Sequence, residues 1–161
     1  QWMAAAERPL RLSLRPFAAR VDTEAVVQET MRLFPPVYVI GRQVQAPLEL
    51  GGCQLLPGDQ LLVPIWFLHH SDRWFEAPRA FSPERWLDGL QDRLPEHAYM
   101  PFGGGPRICI GSNFAWMEAV LVIATLAQKW RLHMLPGQTI KFQPRVTLRP
   151  DPGMQMRLEA R

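Results

Sequence analysis

Pro101-Phe102-Gly103-Gly104-Gly105-Pro106-Arg107-Ile108-Cys109-Ile110-Gly111 is a glycine-rich loop with one cysteine, and it runs straight into an apolar helical pattern from Asn113 to Gln128. Three consecutive glycines remove the Cβ atoms from one short segment, so something must approach that backbone more closely than a side chain would allow. A phosphate cradle needs Gly-Lys-Ser/Thr at its end, whereas Arg-Ile-Cys follows here. The alternative is a thiolate site. Bared backbone N–H groups can point at the Cys109 sulfur, and the positive end of the following helix favours its ionised form. The bland reading is a turn with a buried free cysteine.

The rest of the composition narrows the class. A chain of 161 residues can bury a sizeable core in one domain. Its 16 prolines and 11 glycines suggest many connections between short elements. Eighteen basic against 15 acidic residues leave a net charge of +3, too weak to argue for nucleic acid without a Lys/Arg block. Two cysteines, Cys53 and Cys109, are not a disulfide framework, so a reducing compartment is the default. The first twenty residues carry no apolar signal core. The longest apolar run, Ala119 to Leu126, falls far short of the roughly 20 residues of a membrane span. A soluble, cytoplasmic segment is expected. The start at Gln1 is read as a cut from something longer.

Taken in order, residues 1–22 read as an irregular leading segment. From Asp22 a helix is predicted: Asp22 as N-cap, Glu24 in the first turn, Pro35-Pro36 as the stop. Val26, Val27, Thr30, Met31 and Phe34 fall at helical spacing, and Glu29 and Arg32 share one face. Taken alone, that pair reads as a solvated surface contact. Val37 to Gln43 reads as an extended, β-branched run. Cys53–Leu56 and Gln60–Val63 read as two short strands turned by Pro57-Gly58-Asp59, with Cys53 a small core residue. Ile65 to His70 suggests one helical turn, and the four histidines show no metal-ligand spacing. After Lys129 the alternation of Trp130–Met134 and Met154–Glu159 predicts strands, with a tight turn at Pro150-Asp151-Pro152-Gly153.

Written as Phe102-x-x-Gly105-x-Arg107-x-Cys109-x-Gly111, the loop resembles the haem-binding signature of the cytochromes P450, the haem-thiolate monooxygenases. Two more stretches resemble that family in the same order: Glu29-Thr30-Met31-Arg32-Leu33-Phe34-Pro35-Pro36, and Phe81-x-Pro83-Glu84-Arg85-Trp86, which has Trp where the family pattern has Phe. The resemblance implies an α+β fold: the C-terminal part of the cytochrome P450 fold, mainly helical with small β-sheets, on the proximal haem side, over residues 23–161. It implies haem b (iron protoporphyrin IX) with Cys109 as iron ligand, a thiolate that favours O–O cleavage. Phe102, Gly103, Gly105, Arg107 and Gly111 would form the cofactor loop, with Arg107 and Arg42 on the propionates. Glu29, Arg32 and Arg85 would form a largely buried clasp, with backbone carbonyls taking the surplus donors. The long stretch 74–101 would be the meander leading to the loop. Val37, Val39, Ile40, Leu148 and Met154 would touch substrate. The helix after Cys109 would be buried on most faces.

The family's oxygen-activating helix, with its acid-alcohol pair, has no counterpart in the sequence. The resemblance therefore implies O₂-dependent hydroxylation of an apolar small molecule in a complete enzyme, this fragment alone being inactive. An acidic redox partner (ferredoxin, flavodoxin or reductase) would dock near Arg73, Arg79 and Arg107. Two alternatives stay open: a truncated, non-catalytic haem-thiolate binder, and a peroxide-rearranging relative.

Overall fold

The structure is a computed structural model and describes residues 22–161, so most of the leading segment lies outside the described residues. Helix α1 (Thr23–Leu33) begins where Asp22 accepts the Glu24 N–H at 3.2 Å and ends at Phe34, ahead of Pro35 and Pro36. Its buried residues are Ala25, Val27, Glu29, Arg32 and Leu33. Of the apolar positions at helical spacing, only Val27 is among them. The inward stripe carries the charged pair instead, because that pair has partners waiting inside.

Strand β1 (Ile40–Gln43) is shorter than the extended run read from the sequence. The strands Cys53–Leu55 and Gln60–Val63 exist, but they do not pair with each other. The first, β3, pairs with β2 (Leu48–Leu50) across the two-residue loop Gly51-Gly52, whose φ values of +58° and +79° suit a tight primed turn. The second, β4, pairs with β1 in the register Ile40↔Val63 to Gln43↔Gln60. The result is a nested double hairpin, which the Pro57-Gly58-Asp59 turn signal did not reveal. Cys53 sits at its tip and is exposed, a correction to its reading as core.

Helix α2 (Ile65–His69) leads into the meander, which holds a 3-10 turn at Pro83–Trp86 and a short helix α3 (Leu90–Arg93). Ala25, Phe75 and Trp86 form a core cluster, with Trp74, Leu90, Leu94 and Tyr99 packed around them. Phe75 is 1% exposed, and burial of such a side chain contributes about 1.5–3 kcal/mol. After a 3-10 turn at Gly105–Arg107 comes helix α4 (Ser112–Lys129). It has no buried residue, and Phe114, Met117 and Leu121 are 54–65% exposed. The expected burial of this helix on most faces is therefore corrected: the side that meets α1 and the cysteine loop, Trp116 included, is only half-buried, and the rest is exposed among the described residues.

Strands β5 (Trp130–Met134) and β8 (Met156–Ala160) pair antiparallel. Inside them lies a hairpin of β6 (Lys141–Pro144) and β7 (Leu148–Asp151), with alternation too short to read in the sequence. This inner hairpin is fastened to the end of α1. Phe142 stacks on Phe34 at 4.8 Å, and the Leu148 N–H reaches the Pro36 carbonyl at 2.8 Å.

Candidate functional site

Glu29 is the hub of the meander side. Its side chain and that of Arg32 are 0% exposed, and they form a two-bond fork: Nε to Oε2 and Nη2 to Oε1, each 2.9 Å. Oε1 also accepts the Ser82 N–H at 2.9 Å and Arg85 Nε at 3.2 Å, while Oε2 accepts the Trp86 indole N–H at 2.8 Å. Arg32 spends its other donors on the carbonyls of His69 (2.8 Å), Pro78 (2.7 Å) and Ala80 (3.0 Å). All five of its N–H groups are used. Arg85 gives its remaining contact to the Glu76 carbonyl at 2.8 Å. Burial alone would raise the Glu29 carboxyl, but Arg32, then Ser82 and Trp86, hold it below the usual carboxylate range. One acid between two guanidiniums is stable in the interior only because so many carbonyls absorb the excess donors.

The network has members the sequence did not announce. His69 is fully buried, and its Nε2 accepts the Met100 N–H at 2.9 Å. Burial drives its pKa down to about 4, against an opposing pull from the Arg32 and Met31 backbone. His70 falls to about 4 as well, again chiefly through burial. The Tyr99 hydroxyl donates to the Gln28 carbonyl at 3.1 Å; burial, with Glu29 adding to it, pushes its pKa far up. Trp86 was readable as an aromatic, but its donor N–H is what sets it apart from Phe at this position.

Met100 opens the cysteine loop. The Cys109 N–H returns to the Phe102 carbonyl at 3.0 Å and closes the loop, and the Cys109 carbonyl accepts the Ser112 N–H at 3.2 Å. Gly103 and Gly105 have φ of +77° and +66°, the left-handed region that glycine occupies without strain. Gly104 is different. A Cβ there would stand 2.6 Å from Cδ2 of His97, so the group that approaches this backbone is the protein's own imidazole. Phe102 meets Trp116 of α4 edge-on, with ring centroids 6.4 Å apart.

Cys109 is exposed at the start of α4, and Ile108 and Ile110 beside it are 56% and 104% exposed. Gly111 lies against the sulfur, where a Cβ would sit 3.9 Å from Sγ. Arg107 and Arg42 are exposed, and Arg42 bonds to the carbonyl of Gly41 at 2.8 Å. An exposed thiol between apolar side chains, with Arg107 two residues before it, fits a flat, apolar, anionic cofactor such as haem. The donor set and the open loop are compatible with that group.

Ile40 joins the loop to the candidate substrate wall, because its Cδ1 is 3.5 Å from where a Cβ on Gly103 would lie. Leu148, another candidate for substrate contact, is tied by its N–H to the Pro36 carbonyl, and the Tyr38 hydroxyl donates to the Arg145 carbonyl at 2.9 Å. Val37 is 43% exposed, and Val39 is half-buried. Met154 lies just before β8, 51% exposed. Arg73 stacks on its neighbour Trp74 at 4.6 Å. Among the described residues, no helix is long and apolar enough to cross a membrane.

The family model for Cytochrome P450 matches residues 20–157. Cyclooctatin synthase of Streptomyces melanosporofaciens is 38% identical over 130 residues, 81% of this chain and 28% of that protein. Cyclooctat-9-en-7-ol 5-monooxygenase of the same organism is 39% identical over 118 residues, 73% of this chain and 26% of that one. A retinoic-acid-bound cyanobacterial CYP120A1 superposes with a TM-score of 0.80 at 31% identity, over 85% of this chain and 32% of its own. The chain thus spans about 28% of the length of the first curated relative it matches.

Proposed function

The chain belongs to the cytochrome P450 family, and from that premise we propose that it forms the proximal, cysteine-bearing part of a haem-dependent monooxygenase. The whole protein would hydroxylate an apolar small molecule with O₂, taking electrons from an acidic redox partner in the cytoplasm. The observation that carries this reading is Cys109: an exposed sulfur at the mouth of α4, on a loop closed by its own N–H to Phe102.

Cys109 Sγ would hold the iron of haem b, Arg107 and Arg42 its propionates, and Phe102, Gly103, Gly105 and Gly111 would line the ring's near face. Bound there, haem supplies one-electron and O₂ chemistry that no side chain provides. The chain's own residues do the positioning. Glu29, Arg32 and Arg85 tie α1 to the meander, and the meander delivers the loop. Val37, Val39, Ile40, Leu148 and Met154 would orient the substrate and exclude water, the inner β6–β7 hairpin bracing that wall through Pro36. Arg73, Arg79 and Arg107 would offer the positive face to the electron donor.

The test is the spectrum of the full-length protein, reduced and bound to CO. Wild type is expected to show the red-shifted Soret band of thiolate ligation, and Cys109→Ser to lose it. A serine variant that keeps the wild-type spectrum would overturn the reading. Product formation that requires a reductant separates oxygenation from peroxide rearrangement.

A further inference from the structure

We propose that His69 is a positioning residue that fixes the start of the cysteine loop relative to the buried Glu29–Arg32 pair. The proposal deepens the reading above and rests on it for the role of the loop. The path is continuous. Arg32 Nη1 donates to the His69 carbonyl at 2.8 Å, the His69 ring accepts the Met100 N–H at 2.9 Å, and two residues later the Phe102 carbonyl takes the Cys109 N–H at 3.0 Å.

The chemistry of the ring singles it out. An accepting Nε2 places the proton of the neutral imidazole on Nδ1. Among the described residues, that nitrogen is buried and makes no hydrogen bond of good geometry, with the Arg32 and Met31 backbone near the ring. A buried donor so poorly matched opposes folding. A plain apolar side chain would fill the space beside Tyr99, 5.1 Å away centroid to centroid, without that cost. What the imidazole supplies and a hydrocarbon cannot is the acceptor for Met100. The low pKa keeps the ring neutral, and hence accepting, through the neutral range.

Full-length holoprotein carrying His69→Leu, His69→Asn or His69→Gln tests this by two readouts. One is amide hydrogen exchange of residues 100–109; the other is the reduced CO spectrum. Gln can place an acceptor near the position of Nε2, whereas the shorter Asn cannot. Leu and Asn should speed exchange at Met100 about ten-fold, the scale of one lost buried hydrogen bond, and shift part of the Soret band away from thiolate ligation. Gln should restore both, with exchange in β5 and β8 unchanged throughout. If Gln behaves like Leu, or if exchange at 100–109 is the same in every variant that folds, the positioning role is overturned. If exchange responds as stated while wild type lacks the thiolate band, the link from His69 to the loop stands and the haem reading falls.

Discussion

The Glu29 carboxylate and the Cys109 sulfur lie in the same chain under opposite rules. The charges of Glu29 and Arg32 are out of water and answered: five hydrogen bonds arrive at two carboxylate oxygens, and Arg32 leaves no N–H unused. Around Cys109 the backbone is closed by internal bonds, but the side chains of Ile108, Cys109 and Ile110 face outward. The difference separates frame from site. The frame's charges are matched inside the described residues, whereas the side chains around Cys109 stand exposed. That contrast predicts which substitutions act through folding and which through ligand binding.

The largest effect should come from breaking the frame at its centre. Glu29→Ala leaves two guanidiniums buried beside one another, and loss of one partner of a buried pair costs about 3–5 kcal/mol. Arg85→Ala should cost less. Its side chain is 12% exposed and gives Glu29 a single bond of 3.2 Å, while Arg32 stays in place. Denaturant unfolding with haem content measured in parallel checks the order Glu29 above Arg85. Equal losses would mean that the three residues act as one unit, the clasp that the family resemblance implies. Cys109→Ser supplies the opposite pole, losing the thiolate spectrum with little change in the unfolding midpoint.

Acid should attack the frame in two stages. His69 and His70 titrate near 6.5 when unfolded and about 4 when folded. The unfolded chain therefore binds more protons in that window, and stability falls as pH drops from about 6.5 toward 4. Glu29, whose folded pKa is depressed, adds its stabilisation above the unfolded value of 4.5 and loses it as pH falls through the folded value. Both act in the same direction, with the histidines first. Unfolding free energy measured across this range should slope downward, and His70→Gln should flatten the slope. An unchanged slope would show that His70 is already charged in the fold.

How much of this was legible follows the same divide. The cysteine loop, the Glu-x-x-Arg helix and the Pro-Glu-Arg-Trp segment are local strings, and local strings can be read. Which residues the frame buries is a long-range matter. Glu29 and Arg32 look like a surface pair until Ser82, Arg85 and Trp86 come from more than fifty residues away. Trp86 in place of Phe reads as a harmless aromatic swap, but its N–H supplies one of the five bonds to Glu29. The hairpin pairing is hidden from the sequence for a related reason. Turn signals at Pro57-Gly58-Asp59 mark where the chain bends, not which strand it will meet, and Gly51-Gly52 decided the pairing. Helix α4 is apolar nearly all round, a pattern that states what it could bury and not what is present to cover it.

Within the loop, two neighbouring glycines should respond for different reasons and more weakly. Gly105→Ala meets no atom but forces a side chain onto a φ of +66°, at about 1–2 kcal/mol. Gly104→Ala has no such strain; it must displace the His97 ring, whose side chain is 47% exposed and free to swing outward. That should cost about 1 kcal/mol. A His97→Ala background should abolish the cost at Gly104 and leave the cost at Gly105 untouched. Rescue at both positions, or at neither, would break the assignment.

The smallest effect gives the sharpest control on the role of burial. His133 Nε2 and Glu159 Oε2 are 2.8 Å apart across β5 and β8, a separation like that of Arg32 and Glu29, but their side chains are 45% and 53% exposed. If distance decided the worth of a polar contact, the two pairs would matter equally. Exposure and charge decide it: the contact is an ion pair only while His133 is protonated, water already solvates both partners, and salt screens what attraction is left. Glu159→Gln should therefore shift stability by less than about 0.5 kcal/mol, and raised salt should erase the shift. The loss from Glu29→Ala should survive the same salt. A Glu159 effect as large as that of Glu29 would mean that proximity, and not desolvation with every donor matched, holds the frame together.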